Sequence, residues 1–437
     1  MQFYTKITNK QPMSFSLDFY NMLIISIFVI GYLTIIFENA TGVNKATAAL
    51  LMAVGCWVVQ FADQNIFDWN VEHFSEHLAN ISQVILFLLG ALTIVEIIHA
   101  HGGLNIVVRF MRIRSKVISL WVIGFLAFFL SAVLDNLTTT IVMVMMLRKI
   151  IQDSEDRLIF GSAVVIAANA GGAWTPIGDV TTTMLWVGGQ VSTKAIVSNL
   201  FIPSLVCLAV ALLCFSRIVK GEHQLPLIEE EECEPHGKLI FFLGLLSLIF
   251  VPIFKMLTNL PPFMGVLFSM SFMWLVTDLM HRKHKERQHL RVQSLLPRLD
   301  LSGILFFLGI LLSVDALETA GILKKLALFL DQQIDSKELI CVVIGLISAV
   351  IDNVPLVAAC IGMYDLTSVP MDANFWILIA LAAGTGGSIL IIGSAAGVAF
   401  MGMEQVTFFW YLKRAALPAA LGYFAGILAY ILLGGIC

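Results

Sequence analysis

Charged side chains are scarce in this sequence. Only 13% of its 437 residues are Asp, Glu, Lys or Arg, about half the roughly 25% of a soluble globular domain. That scarcity excludes an ordinary water-soluble fold. A large net charge is missing too: −4 overall, with a pI near 6.1, gives no electrostatic argument for nucleic acid as a partner. Cysteine is sparse and scattered. Of the seven, Cys207, Cys214, Cys341 and Cys360 lie inside apolar runs and no C-x-x-C pair occurs, so neither a disulfide framework nor a zinc site is indicated. The thiols read as small core residues. No His-Glu-x-x-His occurs, and the aspartates lack the glycine-rich context of an aspartyl enzyme, so the chain is expected to be no enzyme and to need no cofactor. What is abundant is apolar side chain. Hydrophobic residues make up 59% and mean hydropathy is +0.90, the composition of an all-α polytopic membrane protein.

Against that background two acidic steps stand out. Ser131-Ala-Val-Leu-Asp135-Asn136 recurs 217 residues later as Ser348-Ala-Val-Ile-Asp352-Asn353. Ionisable groups inside a bilayer are costly and mark functional sites. The duplication extends further. Ile85-Leu-Phe-Leu-Leu-Gly90 with Glu96 matches Ile304-Leu-Phe-Phe-Leu-Gly309 with Asp315, and Ala167-Ala-Asn169-Ala-Gly171-Gly172 matches Ala382-Ala-Gly384-Thr-Gly386-Gly387. The matches are collinear, so the chain is a tandem of two related halves. The expected division is an N-terminal segment 1–17, a first repeat 18–219, an inter-repeat loop 220–237 and a second repeat 238–437. The acidic run Glu229–Glu232 with Glu234 falls in that loop and reads as a solvated linker.

Apolar runs of roughly 20 residues can cross a membrane. They are read at 18–37, 44–62, 80–100, 158–189, 198–219, 238–257, 261–280, 300–320, 373–403 and 414–434. The stretches 116–151 and 338–366 are read instead as re-entrant hairpins with Asp-Asn at their tips, the alternative being one kinked helix each. Five crossings and a hairpin per half make the second half run inverted. Loop charge agrees. Arg109, Arg112, Arg114 and Lys116 (loop 101–116) and the basic loop 281–298 fall on one side, which positive loops place in the cytoplasm; the acidic loops 63–77 and 364–373 fall on the other. Both termini are then outside a cytoplasmic (inner) membrane, although Lys6 and Lys10 run against this. A cleaved signal peptide is the rival reading of 18–37, disfavoured because 238–257 is its counterpart.

The runs 158–189 and 373–403 are each interrupted by glycine, at Gly171, Gly172 and Gly178 and at Gly384, Gly386, Gly387 and Gly393, with Pro176 in the first. Close helix packing explains glycine alone. The polar residues Asn169, Thr175, Asp179 and Thr181–Thr183, and Thr385, Ser388 and Ser394, argue for broken helices lining a watery cavity.

At this point the residues resemble a known family. Ser131-AVLDNLTTTIVM followed by Gly171-GAWTPIGDVTTTMLW is similar to the NhaD-type sodium/proton antiporters of the ion transporter superfamily. The resemblance covers about residues 30 to 430. It implies inverted-topology repeats, each with a re-entrant hairpin and a broken transmembrane helix, and a homodimer. Relatives that carry citrate or dicarboxylates have a Ser-Asn-Thr motif at the hairpin tips. Here the tips read Asp135-Asn136-Leu137 and Asp352-Asn353-Val354. A carboxylate there repels an organic anion and favours a cation.

The expected activity is therefore antiport of sodium (or lithium) against protons. The alternatives are another substrate on the same fold, such as arsenite or a carboxylate, and, further off, an intramembrane enzyme. Sodium takes about five or six hard oxygen ligands. A buried carboxylate can hold a proton or a sodium ion, because desolvation disfavours its bare charged form. Asp135, Asp352 and Asp179 are the expected sodium and proton binders. Asn136, Asn353, Thr138, Thr139 and Thr175 are candidate neutral ligands, with threonines alternatively bonding back to their own helix. Glu96 and Asp315 are a possible proton relay. His99 and His101, beside a basic loop, are candidate pH sensors, with plain solvation as the alternative.

Overall fold

The computed structural model describes residues 19–36, 41–62, 67–103, 111, 113–222, 236–258, 260–334 and 336–434. Lys6, Lys10, Arg109, Arg112 and the run Glu229–Glu232 with Glu234 lie outside the described residues. Among the described residues all regular structure is helical, apart from one isolated bridge between Ser115 and Glu222.

In chain order the helices are α1 (Phe19–Ile36), α2 (Lys45–Ala62), α3 (Phe67–Ala100), α4 (Lys116–Leu134), α5 (Asn136–Ile150), α6 (Ser154–Gly172), α7 (Val180–Val187) and α8 (Thr193–Ile218). The second half supplies α9 (Gly237–Thr258), α10 (Pro262–His281), α11 (Leu301–Thr319), α12 (Ile322–Gln333), α13 (Lys337–Ile347), α14 (Asn353–Met363), α15 (Asn374–Gly386), α16 (Ala395–Glu404), α17 (Phe408–Arg414) and α18 (Ala416–Leu432). Polar caps start many of them. Ser115, Asp153, Ser192, Asp300, Ser336 and Thr407 each accept from a backbone N–H of the first turn, so an apolar run begins without orphan donors.

Among the described residues seven helices are long and apolar enough to cross a membrane: α2, α3 over 77–100, α4, α8, α9, α10 and α11. The pair α17–α18, bent by 56°, makes an eighth. Outward stripes such as Leu417, Leu421, Phe424, Leu428 and Leu432 on α18 are exposed. Repeating every three to four residues, they form an apolar face that suits lipid rather than water. The protein is thus an all-α polytopic membrane protein.

The runs 158–189 and 373–403 are each two helices around a break, as their glycines and polar residues indicate, and α1 is at the short limit for a span. Two expectations change in detail. The first arm of the first hairpin, α4, is 19 residues long and could cross by length, whereas its second arm has 15 and the arms α13 and α14 have 11 each. The stretches read as loops are partly helical. Helix α3 already starts at Phe67, and 281–298 folds into helical turns at Lys285–Leu290, Val292–Leu295 and Leu296–Arg298. There Val292 and Leu295 bury against Ile97, Ile240 and Met273, apolar contacts that hold the basic segment down.

The repeat seen in sequence is matched by equivalent contacts. The hydroxyl of Ser131 donates to the carbonyl of Ala168 at 2.6 Å, and that of Ser348 to the carbonyl of Ala383 at 2.8 Å. A Cβ added at Gly171 would lie 2.2 Å from the carbonyl oxygen of Phe128, and one at Gly386 would lie 2.0 Å from that of Gly345. Each first arm therefore packs backbone to backbone on the neighbouring broken helix, which only glycine permits.

Helix α8, at 26 residues, is about 39 Å long and serves as a ruler. The open end of the α4–α5 unit sits at its C-terminal end, where Lys116 N–H donates to the carbonyl of Gly221. Its N-terminal end meets the segment after α14: Asp372 N–H donates to Gln190 and its carboxylate accepts from Ser192 N–H. In turn Lys337 lies over the Tyr364 ring, which packs on Phe375. The two helix–break–helix units thus open at opposite ends of α8.

Candidate ion site

The tip of the first unit is one residue wide. Asp135 ends α4 and caps α5, with φ 73° and ψ 160°, a left-handed conformation that favours glycine. The carboxylate compensates locally: Oδ1 accepts from Thr138 N–H and Oδ2 from the Thr138 hydroxyl, both at 2.8 Å. At the second tip Asp352 caps α14 through Val354 N–H at 3.1 Å, without positive φ. The two tips share sequence but not backbone geometry.

Asp179 caps α7 just beyond the first break and is almost fully buried, at 2% exposure. Its Oδ1 accepts from the N–H and the hydroxyl of Thr181 at 2.9 and 3.0 Å. Its Oδ2 receives the side-chain amides of both tips: Asn136 at 2.7 Å and Asn353 at 3.3 Å. Asn136 also donates to Asn169 Oδ1 at 3.0 Å, and Asn169 donates onward to the hydroxyls of Ser388 and Ser394, both at 2.9 Å. One network therefore joins both tips and both broken helices. By the repeat Ser394 stands where Asp179 does, capping α16 as Asp179 caps α7. The site accordingly has one central carboxylate rather than two.

A cavity of about 880 Å³, including its open mouth, reaches this network. Asp135, Asn136, Asp179, Thr183 and Asn353 form its polar wall; Phe87, Leu92, Val95, Val251 and Phe307 are among its apolar lining, and Asp300 and Gly303 stand where α11 begins. Asp179 lies within electrostatic reach of both Asp135 and Asp352.

The expected residues divide on this geometry. Asp135, Asn136, Asp179 and Asn353 line one cavity. Asp352 does not line it; it faces Tyr32 of α1 and feels the Lys45 ammonium of α2. Thr138 is spent on Asp135, and Thr175 donates to the carbonyl of Ala132 at 2.7 Å. Thr139 is fully buried and its hydroxyl has no partner among the described residues, so it does not bond back to its own helix. Glu96 and Asp315 are not brought to the cavity. Glu96 lies 3.7 Å from His99, and Asp315 lies 3.3 Å from His77. Sequence reasoning named Asn169, Ser388 and Ser394 only as polar residues of the breaks. Their position opposite Gly384, Ala173 and Asp179 in the repeat is the signal that could have singled them out.

Comparison with known proteins follows the same lines. The profile of the CitMHS family, described as citrate transporter, matches residues 32–378. "Sodium/proton antiporter 1" of Arabidopsis thaliana is 54% identical over 409 residues, 93% of this chain and 71% of that protein. "Sodium/proton antiporter 2" of the same plant is 51% identical over 411 residues, 93% and 98% of the two chains. "Na(+)/H(+) antiporter NhaD" of Alkalimonas amylolytica is 31% identical over 453 residues, 96% and 92% of the two chains.

Proposed function

The chain belongs to the CitMHS family together with the NhaD-type sodium/proton antiporters, and we propose that it exchanges sodium ions for protons across its membrane. The observation that carries this reading is the convergence of Asn136 and Asn353 on Asp179, beside Asp135, at the end of an open cavity. A dehydrated cation needs hard oxygens, and these carboxylates offer them. The family's description names citrate, but a tricarboxylate would meet Asp135, Asp179 and Asp352 as like charges.

The mechanism is competition for one site. A sodium ion displaces the amide N–H groups from Asp179 Oδ2 and draws oxygens from Asp135 and the tip amides. Protons replace it when sodium leaves. Bare carboxylates are costly to move through the low-dielectric interior, so only the loaded or the protonated site crosses. The crossing itself is alternating access: the tips and broken helices α4–α7 and α13–α16 move against α1–α3 and α9–α11. Inverted repeats and re-entrant hairpins supply its symmetry, supported by the two units opening at opposite ends of α8. The cavity reaching Asp300, next to the basic turns, corresponds to a state open on the cytoplasmic side. Lithium, with the same charge and hard-oxygen preference, is a second substrate, and the working unit is a homodimer.

The test is dequenching of a pH-sensitive dye in everted vesicles carrying the protein. Sodium and lithium should dequench, and potassium and citrate should not. Dequenching by citrate alone would overturn the reading.

A further inference from the structure

A second titratable assembly lies away from the ion site. His101 follows the end of α3 and His281 closes α10; both are buried, at 0% and 1% exposure. Their Nε2 atoms are 2.9 Å apart, and the rings are 5.1 Å between centroids, tilted by 31°. His101 Nδ1 is 2.7 Å from the carbonyl oxygen of Ile97.

These contacts fix the hydrogens. A carbonyl only accepts, so His101 Nδ1 carries a hydrogen, and in a neutral ring its Nε2 is then a bare lone pair. The Nε2–Nε2 contact therefore takes its hydrogen from His281, which leaves His281 Nδ1 as the bare nitrogen. That nitrogen is buried and has no hydrogen-bond partner among the described residues. Among the described residues, those named as acting on His281 are His101, at the end of α3, Arg287 and His284 from the turn after α10, and His236 ahead of α9, none of them a carboxylate. Asp278, one turn earlier on α10, is paired with Arg291. On α3 the carboxylate of Glu96 is turned to His99 instead.

We propose that the His101–His281 pair is a second proton-binding site, distinct from the ion site, that sets the acid limit of exchange. One added proton at His281 Nδ1 leaves the Nε2 bridge intact. A second proton, on His101 Nε2, sets two N–H groups against each other at 2.9 Å and breaks the bridge. Helix α3 supplies Phe87, Leu88, Ala91, Leu92 and Val95 to the cavity wall. Freeing its end from α10 loosens that wall and slows transport. The consequence for exchange rests on the antiport reading; the proton chemistry does not.

The test uses the full chain reconstituted in vesicles and two measurements. Sodium-driven proton movement is recorded against pH for the wild type, His101→Gln and His281→Gln. Exchange should persist at the alkaline end, and the acid limb should become shallower by about one proton in each variant. Hydrogen exchange of the wild-type amides over 97–103, where His101, Gly102 and Gly103 N–H groups are bonded to Ile97, His99 and Ile98, is corrected for intrinsic rate. Protection should fall on acidification. An acid limb of unchanged steepness, or loss of exchange at every pH in folded variants, overturns the proposal. So does wild-type protection that acid leaves untouched, whatever the variants do. Acid-induced deprotection in a protein that shows no antiport would support the proton site and reject the antiport reading.

Discussion

Asp179 is the side chain on which the candidate site closes, since amides from both tips point at one of its oxygens. Asp179→Asn should therefore abolish sodium-driven proton movement in vesicles while the protein still inserts, because an amide can neither titrate nor supply a charged oxygen. Asp135→Asn should do the same. Asp352→Asn is the discriminating case. Asp352 faces Lys45 and Tyr32 rather than the cavity, so its loss should weaken exchange without lowering sodium binding as Asp179→Asn does. Equal loss of sodium binding in isothermal calorimetry would return Asp352 to the ligand set. Asn169 holds three polar partners in a buried network. Asn169→Ala removes all three bonds, although Asn136 keeps Asp179 and Ser394 keeps the N–H of Gly397; at about 1–3 kcal/mol for a buried group left unsatisfied, it should lower the melting temperature as well as exchange.

At the scale of elements the breaks depend on backbone contact. The segments between α6 and α7 and between α15 and α16 are buried, which backbone without helical bonding tolerates only where protein satisfies it. Gly171 on Phe128 and Gly386 on Gly345 press the first arms against them. Gly171→Ala and Gly386→Ala each place a Cβ where a carbonyl already lies. Overpacking of this kind costs about 1–3 kcal/mol or more. Both variants should melt earlier in detergent than the wild type; an unchanged melting temperature would mean that the arms are not so closely packed. A clamp ties α16 to α5 and α6: the Glu404 side chain, 3% exposed, accepts from the half-exposed Arg148 Nε at 2.6 Å and from Arg157 Nε at 2.7 Å. Hydropathy gave no sign of it, because one acidic residue at a helix end is paired only once the ends meet.

At the scale of the molecule two predictions concern sidedness and linkage. Single cysteines at Arg114 and Lys283 should be labelled from the cytoplasmic side, and at Ser75 and Asp365 from the other, by an impermeant reagent in a version without native cysteines. Labelling of Arg114 and Lys283 from opposite sides would remove the inverted repeat. Sodium binding should also release protons, about one for each shared carboxylate that must be emptied, and sodium affinity should fall as pH falls. Calorimetry in buffers of different ionisation enthalpy counts them. A count of zero across the active range would put ion and proton on separate sites.

The sequence by itself determined that the chain is a helical membrane protein, and it pointed to a tandem repeat with Asp135, Asp179 and Asp352 as its costly residues. Those facts rest on composition, on collinear matches and on the price of burying charge, none of which needs coordinates. Only the tertiary structure decided which carboxylate is central. Sequence symmetry treats Asp135 and Asp352 alike, but one tip carries positive φ at Asp135 and the other turns Asp352 toward Lys45, which has Met264 at the matching position. It also joined Asn169 to Ser388 and Ser394, and His101 to His281, across 219, 225 and 180 residues of chain. Such pairings follow from how helices cross and where their ends come to rest. Those angles are set by packing over the whole bundle, and no local pattern records them.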